Sequence, residues 1–578
     1  MPTLWPQDAP APSPHIAAMT AYSAKKHGAP MDLWLDGIGG LAPRDDFVAG
    51  LAGADLQAMV RGYPSSAELE ALLAEELGTA PANVVVTAGA DDGLDRACRA
   101  FLAPGRSLVL PVPTFEMIER YAAWAGATVR PVAWAAGPYP LAEVVAAADG
   151  STGAVAVVSP NNPTGLTVDI QGLCALSAAL PHAVLLVDLA YVEFADDDLT
   201  ATVLALPNAI GFRTFSKAWG LAGLRVGYAF GAANLMQWLR ISGHPYAVSG
   251  PSLHWAKTHL QLFSHRVTAY VQQVRANRQK LFGQLVDLDL RPLPSQANFV
   301  LARTTKAVWI RDALAGMGIA VRAWPGHPLL AEAVRISVPG PSEEADRLAS
   351  ALEIALKPQA ILLDMDGVIV DTSGSFRQAI VQTCARFGLQ ATLDDIAEIK
   401  AKGNANNDWV VTRRMLAAAG IDVPQDEVTA YFESLYQGTA TCPGLKLGER
   451  LLLEPADWAR IAAKLPIAIV TGRPRKDAEF FLNSHGITSF VQTVVCMEDG
   501  PAKPDPFPVQ LALQRLGLTR AWMVGDTPDD IRACRAANVL PIGVPAPGDN
   551  ADSAAQTLIA AGAARVLPSI RHLLEILP

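Results

Sequence analysis

Ala360-Ile361-Leu362-Leu363-Asp364-Met365-Asp366-Gly367-Val368-Ile369-Val370-Asp371 joins a short apolar run to two carboxylates one residue apart and a glycine turn. Such a run reads as a strand buried on both faces, with its first carboxylate at the carboxyl end. The same arrangement recurs in Ala154 to Val158 before Ser159-Pro160-Asn161-Asn162, in Ala183 to Val187 before Asp188, in Ile467 to Val470 before Thr471, and in Ala521 to Val524 before Gly525-Asp526. In open α/β sheets ligands bind beyond the carboxyl ends of the strands, where these polar residues fall. Short apolar runs are also ordinary core, so the pattern by itself gives an α/β fold class with mainly parallel sheets and leaves function to the motifs.

At 578 residues the chain is long enough for two or more globular units, each with its own core. It is 51% hydrophobic and 18% charged with a formal net charge of −10, which offers no basic face to nucleic acid. No apolar run approaches the roughly 20 residues that span a bilayer, and no basic segment followed by an apolar one and a cleavage site opens the chain. The expected location is cytoplasmic. Cys98, Cys174, Cys384, Cys442, Cys496 and Cys534 lack Cys-x-x-Cys spacing and read as reduced thiols, mostly buried as small apolar side chains.

Residues 1–45, rich in Pro, Ala and Asp, read as an irregular arm. Alternating helical and apolar stretches run over 46–356, and the alternation restarts at Ala360. Glu343 to Leu356 reads as a closing helix and Lys357-Pro358-Gln359 as punctuation, which places a second domain over 358–578.

Thr214-Phe215-Ser216-Lys217-Ala218-Trp219-Gly220-Leu221-Ala222-Gly223-Leu224-Arg225 carries the chemistry of the first half. A lysine among small residues can reach an aldehyde while Ser216 and Arg225 hold a phosphate; a solvated lysine in a glycine-rich loop fits Lys217 taken alone equally well. Gly89-Ala90-Asp91-Asp92-Gly93, after Val84 to Val86 and before a helical stretch, is a candidate phosphate cradle at a helix N-terminus. With Ser159 to Gly165 and Asp188-Leu189-Ala190-Tyr191, the lysine segment resembles the fold-type I aminotransferases, and within them the histidinol-phosphate aminotransferase branch, over about residues 55–355. The resemblance implies pyridoxal phosphate as cofactor and a fold of large and small subdomains. It implies that Lys217 bonds to the cofactor aldehyde and moves the substrate proton, that Asn162 and Tyr191 hold the phenolic oxygen, and that Asp188 holds the pyridine nitrogen. Ala90, Asp91, Ser216 and Arg225 would meet the cofactor phosphate, Phe115 would stack on the ring, and Tyr63 would reach the phosphate of a second subunit in a homodimer. Arg322 and Arg335 match two arginines that hold the substrate phosphate, the second also binding the carboxylate of a glutamate donor; surface arginines are the plainer alternative for each. Ser295-Gln296-Ala297-Asn298-Phe299 matches that branch too. Asp36-Gly37-Ile38-Gly39-Gly40-Leu41-Ala42-Pro43 departs from it, standing where the branch carries Asn-Glu-Asn-Pro.

In the second half Asp364 and Asp366 are followed by Thr471-Gly472-Arg473, Lys503-Pro504-Asp505 and Gly525-Asp526-Thr527-Pro528-Asp529-Asp530. Any one of these suits a loop or cap, as Asp371 does; converging carboxylates repel by about 4 kcal/mol per pair at about 4 Å and an effective dielectric near 20, and an all-oxygen cluster suits Mg²⁺. The set resembles the haloacid dehalogenase superfamily over 358–578, with a Rossmann-like core and a helical cap over about 375–455. It implies Asp364 as nucleophile, Asp366 as general acid and base, Thr471 and Lys503 as holders of phosphoryl oxygens, and Mg²⁺ held by Asp364, Asp366, Asp526 and Asp530. Lys400, Lys402, Asn404, Asn406, Asn407 and Trp409 are cap candidates for touching substrate, with solvated surface the alternative.

One activity would make the other's substrate if a phosphorylated ketone, with imidazole acetol phosphate the leading choice, takes an amino group from glutamate and the resulting phosphate monoester, histidinol phosphate, is then hydrolysed to histidinol. The expected partners are these small molecules and 2-oxoglutarate, without nucleic acid or membrane. Another phosphorylated amino compound, aminophosphonate transamination with C–P cleavage through a cap lysine, or a non-catalytic regulatory half are the alternatives.

Overall fold

The computed structural model describes residues 14–21, 26–37, 40–41, 56–401, 403 and 407–578. Most of the expected arm, and cap candidates Lys402, Asn404 and Asn406, lie outside these residues. The chain forms two compact units, one of residues 1–25, 35–307 and 321–346, the other of 26–34, 308–320 and 347–578.

In the first unit a seven-stranded sheet is built from β1 (Val84–Thr87), β2 (Ser107–Val112), β3 (Thr128–Ala133), β4 (Thr152–Val158), β5 (Val184–Asp188), β6 (Ala209–Thr214) and β7 (Gly227–Gly231), in the order β1-β7-β6-β5-β4-β2-β3. All neighbours are parallel except those of β7, which runs antiparallel to β1 and β6. Both sheet faces are covered: Val155 and Val157 enter one apolar cluster while Ala154, Ala156 and Val158 enter another, as strand alternation requires. A four-stranded antiparallel sheet of β8 (Arg291–Pro292), β9 (Phe299–Arg303), β10 (Arg322–Ala323) and β11 (Ala333–Ser337), ordered β10-β11-β9-β8, forms the smaller part and carries Arg322 and Arg335.

In the second unit β12 (Ala360–Leu363), β13 (Ile467–Val470), β14 (Val491–Val495), β15 (Ala521–Gly525), β16 (Leu540–Gly543) and β17 (Arg565–Val566) form an all-parallel sheet ordered β14-β13-β12-β15-β16-β17. β12 and its neighbours β13 and β15 therefore deliver Asp364, Thr471 and Asp526 to one edge. Among the described residues between β12 and β13, the helices α1 (Phe376–Arg386), α2 (Leu393–Ala401), α3 (Asp408–Ala418) and α4 (Gln425–Gln437) pack on one another around Phe376, Ile380, Ile396, Val411, Leu416, Val428 and Phe432, and a further helix, Pro455–Ala462, precedes β13. This insertion occupies the stretch expected to be the cap.

The expected junction at 356–358 differs from the compact units. Residues 347–356 of the helix Ser342–Leu356 group with the second unit, because the Trp522 indole donates to the Ile354 carbonyl and the Trp309 indole to that of Ala355. No helix among the described residues is long and apolar enough to cross a membrane.

Phe432 is fully buried inside the four-helix insertion. Phe432→Ala is expected to weaken it by about 3–5 kcal/mol, read as a lower urea midpoint and as faster proteolysis within residues 376–437.

Candidate active sites

In the first unit the carboxyl ends of β4, β5 and β6 converge. Asp188 ends β5 and is 4% exposed, held by a hydrogen bond from the Ala190 amide (3.0 Å). Burial, reinforced by Asp91 and opposed by that amide and Lys217, pushes its pKa up to about 7. A carboxylate so placed is stabilised in its ionised form by a cation, which a protonated pyridine nitrogen supplies. Lys217, just beyond β6, brings its ammonium 5.3 Å from the Tyr191 ring centre.

A phosphate cradle lies beside them. Gly89, at φ 83°, opens the helix Gly89–Phe101, and a Cβ there would stand 2.8 Å from Arg225 Nη2. Arg225, itself left-handed at φ 53°, pairs with Asp91 (3.0 Å) and donates to Ser216 Oγ (3.4 Å), which also receives the Thr214 hydroxyl (2.9 Å). Helix dipole, guanidinium and hydroxyl thus face one small space suited to a dianion. The residues present fit pyridoxal phosphate, with Ala90, Asp91, Ser216 and Arg225 at its phosphate end and Asp188 at its ring nitrogen.

A cavity of about 250 Å³ adjoins, lined by Phe115, Asn162, Arg322, Trp324, His327 and Arg335 among others. Arg335 is 5% exposed; it donates to Asn162 Oδ1 (2.5 Å) and to the Asp36 carbonyl (2.6 Å), with its guanidinium 5.1 Å from the Phe299 ring. It is therefore not a surface arginine. Arg322 pairs with Glu116 (3.2 Å) and lies 5.2 Å from the Trp324 ring. The departing segment reaches this site through the Asp36 carbonyl, and Leu41 donates to the Ala218 carbonyl beside Lys217 (3.3 Å); residues 38, 39, 42 and 43 lie outside the described ones. Tyr63 is 84% exposed and stacks on Tyr246. Glu116, Trp324 and His327 carry no motif and were not singled out from sequence.

In the second unit carboxylate oxygens of Asp364, Asp526 and Asp530 lie within 4.8 Å of one another. Lys503 Nζ bridges Asp364 (2.6 Å) and Asp530 (2.5 Å) and donates to the Val470 carbonyl (3.1 Å). Burial is the largest influence on Asp364, which is pushed up to about 7 despite Lys503, with Asp530 and Asp366 adding to the rise. Asp526 is pushed well above the usual carboxylate range by burial, Asp530 and Asp364. One bridging ammonium among three carboxylates, Asp364 and Asp530 buried and Asp526 half-buried, leaves room for a divalent cation, and these oxygen donors fit Mg²⁺. Close approach depends on Gly367, left-handed at φ 75°, where a Cβ would meet Asp526 Oδ2 at 2.3 Å. Thr527 and Asp530 form a capping box opening the helix Pro528–Ala536, which orients Asp530.

The Asp366 carboxylate is not in the trio: its Oδ1 accepts from Arg473 Nε (2.7 Å) and Nη2 (2.5 Å). Thr471 is buried beyond β13, its hydroxyl accepting the Arg473 amide (3.1 Å). Asp371 caps the Ser373 turn, accepting from that residue's amide (3.0 Å) and hydroxyl (2.5 Å). Asn407 caps α3, and Lys400 pairs with Asp408 (3.0 Å). Burial works against the Lys400 charge, but Asp408 outweighs it and the ammonium is held above its ordinary value. Arg473 belongs to the Thr471-Gly472-Arg473 motif, whereas Glu449, bonded to it, carries no local sequence signal.

Residues 52–352 match the family model for aminotransferase class I and II, and residues 358–538 that for haloacid dehalogenase-like hydrolase. The chain belongs to the class I and II aminotransferases, pyridoxal-phosphate enzymes, and continues into a haloacid dehalogenase-like hydrolase region. A histidinol-phosphate aminotransferase of Thiobacillus denitrificans is 36% identical over 283 residues, 48% of this chain and 73% of that protein. An imidazoleglycerol-phosphate dehydratase of Phytophthora nicotianae is 43% identical over 237 residues, 38% of this chain; the chain spans about half of that relative, 52%. The structure of histidinol-phosphate aminotransferase from Sinorhizobium meliloti with pyridoxal-5'-phosphate aligns with a TM-score of 0.53 at 26% identity, over 60% of this chain and 97% of that one.

In cofactor-free protein the raised Asp188 pKa contributes stability that is complete below the ordinary value of 3.8 and is lost as pH rises through about 7. Asp188→Asn should remove that decline, seen as a flatter pH dependence of the urea midpoint than wild type between those limits. Lys217→Ala should retain bound cofactor poorly and lose the visible absorbance of the lysine-bound form, measured on the purified protein.

Proposed function

We propose that the chain catalyses two consecutive reactions: transamination of imidazole acetol phosphate by glutamate to histidinol phosphate, and Mg²⁺-dependent hydrolysis of histidinol phosphate to histidinol. The observation that carries this reading is that one chain holds an arginine-lined cavity, an arginine-and-hydroxyl cradle at a helix N-terminus, and an aspartate trio of which Lys503 bridges two members. The histidinol-phosphate aminotransferase relatives support the choice of substrate.

In the first reaction bound pyridoxal phosphate supplies the electron sink for the substrate Cα. Asp188 keeps a proton at the pyridine nitrogen, while Asn162 and Tyr191 hold the phenolic oxygen. Lys217 Nζ would accept the proton from the substrate Cα and release it again to complete the transfer. Arg335 and Arg322 grip the substrate phosphate, and Arg335 also takes the donor carboxylate, since a planar guanidinium serves either anion. Tyr63 completes the phosphate site of a second subunit, which makes the working form a homodimer in the cytoplasm.

In the second reaction Asp364 attacks phosphorus to form an aspartyl phosphate while Asp366 protonates the departing alcohol oxygen; Asp366 then draws the proton from the attacking water. Thr471 and Lys503 hold phosphoryl oxygens. Mg²⁺ held by Asp364, Asp526 and Asp530 offsets their charge. C–P cleavage through a cap amine is disfavoured at Lys400, whose ion pair with Asp408 keeps it an ammonium.

Mass spectrometry of products from imidazole acetol phosphate, glutamate, pyridoxal phosphate and Mg²⁺ tests the scheme. Wild type should give histidinol, Asp364→Asn should accumulate histidinol phosphate, and Lys217→Ala should give neither. Chelating Mg²⁺ should reproduce the Asp364→Asn pattern. Unreacted ketone with normal cofactor absorbance would discard these substrates.

A further inference from the structure

In the phosphatase reading Asp366 presents one oxygen to the leaving group while Asp364 carries like charge within electrostatic reach. Its Oδ1 receives two hydrogen bonds from Arg473, through Nε at 2.7 Å and Nη2 at 2.5 Å, which leaves Oδ2 outside that contact. The Arg473 side chain is 1% exposed, whereas that of Asp366 is 27% exposed, so a sealed guanidinium holds an acid that still opens onto the site.

The far side of Arg473 is occupied as fully. Nη1 and Nη2 donate to Glu449 Oε2 (2.9 Å) and Oε1 (3.0 Å), Nη1 also bonds the Tyr436 hydroxyl (3.2 Å), and the Phe376 ring lies 4.8 Å from the guanidinium carbon. Glu449, 2% exposed at its side chain, also accepts from the Ser375 hydroxyl (2.8 Å). A guanidinium gripped by Glu449 in this manner cannot rotate without breaking charge-assisted bonds inside a dry site. Ser375 stands where the chain enters the four-helix insertion, and Glu449 where it returns, one residue before the Arg450–Leu451 strand that pairs with Val370–Asp371.

We propose that Arg473, locked by Glu449, is a positioning residue that aims Asp366 at the leaving-group oxygen, and that this lock ties the proton donor to the two connections of the helical insertion. The proposal rests on the phosphatase reading of Asp364 and Asp366. In the step concerned the Asp364 oxygen bonds to phosphorus, the bond from phosphorus to the leaving oxygen breaks with its electron pair on that oxygen, and the Asp366 proton neutralises it. A strongly basic alkoxide needs that proton, whereas p-nitrophenolate leaves without it.

The test compares kcat/KM for histidinol phosphate and p-nitrophenyl phosphate, because this parameter reports the steps up to phosphoryl transfer and not hydrolysis of the aspartyl phosphate. Arg473→Gln is expected to lower the alkyl-to-aryl ratio by about 100-fold, the scale of lost general-acid catalysis. Arg473→Lys, which keeps the charge but not the fork, should lower it less, and Glu449→Gln should lower it in the same direction. Since removing Arg473 alone strands a buried carboxylate, the double variant Arg473→Gln/Glu449→Gln guards against misfolding and should show the same selective loss. Equal losses for both phosphates, or no loss for either, would overturn the positioning role alone. Wild-type protein that hydrolyses neither phosphate would overturn the phosphatase reading and this proposal with it.

Discussion

A carboxylate buried where a parallel strand ends is destabilised in its ionised form unless a cation meets it, and both units of this chain are arranged around that constraint. Asp188 closes β5, Asp364 follows β12 and Asp526 follows β15, and burial pushes the pKa of each upward. The chain supplies cations unequally. Asp364 and Asp530 share Lys503, Asp366 and Glu449 share Arg473, Asp526 feels Lys400 and Arg377, and Asp188 feels Lys217 without an ion pair to it among the described residues. The remaining demand for positive charge matches a protonated ring nitrogen in one unit and a divalent metal ion in the other.

The sheets make this placement affordable. β4 and β12 lie inside their sheets with both faces packed, so the residues at their ends are held by a rigid frame rather than by the loops themselves. Turn glycines complete the approach: Gly89 admits Arg225 to the helix terminus, and Gly367 leaves room for Asp526 in its cluster with Asp364. A side chain at either would occupy the space the chemistry requires.

Much of both sites was legible because parallel strands put chemistry at fixed chain positions. Asp188, Asp364, Thr471 and Asp526 each follow an apolar run, so a pattern of period and punctuation finds them, whereas Lys217 was legible from its own segment of small residues and glycines. Asn162 and Arg335 were legible only through family motifs; that one bonds the other is a tertiary fact. Among the cap candidates, Asn407 caps a helix, while Lys400 pairs with Asp408 and also acts electrostatically on Asp526, a relation between residues far apart in the chain.

The sequence by itself determined the α/β class, the strand ends and the residue types that converge there, since burial periodicity and turn residues are local properties. Only the tertiary structure decided which carboxylates share a cation, that Arg335 is buried against Asn162 and Phe299, and that Arg473 links Asp366 to Glu449. It also decided that residues 347–356 group with the second unit. These are contacts between residues far apart in the chain, and their energies depend on distance and burial, which no local pattern encodes.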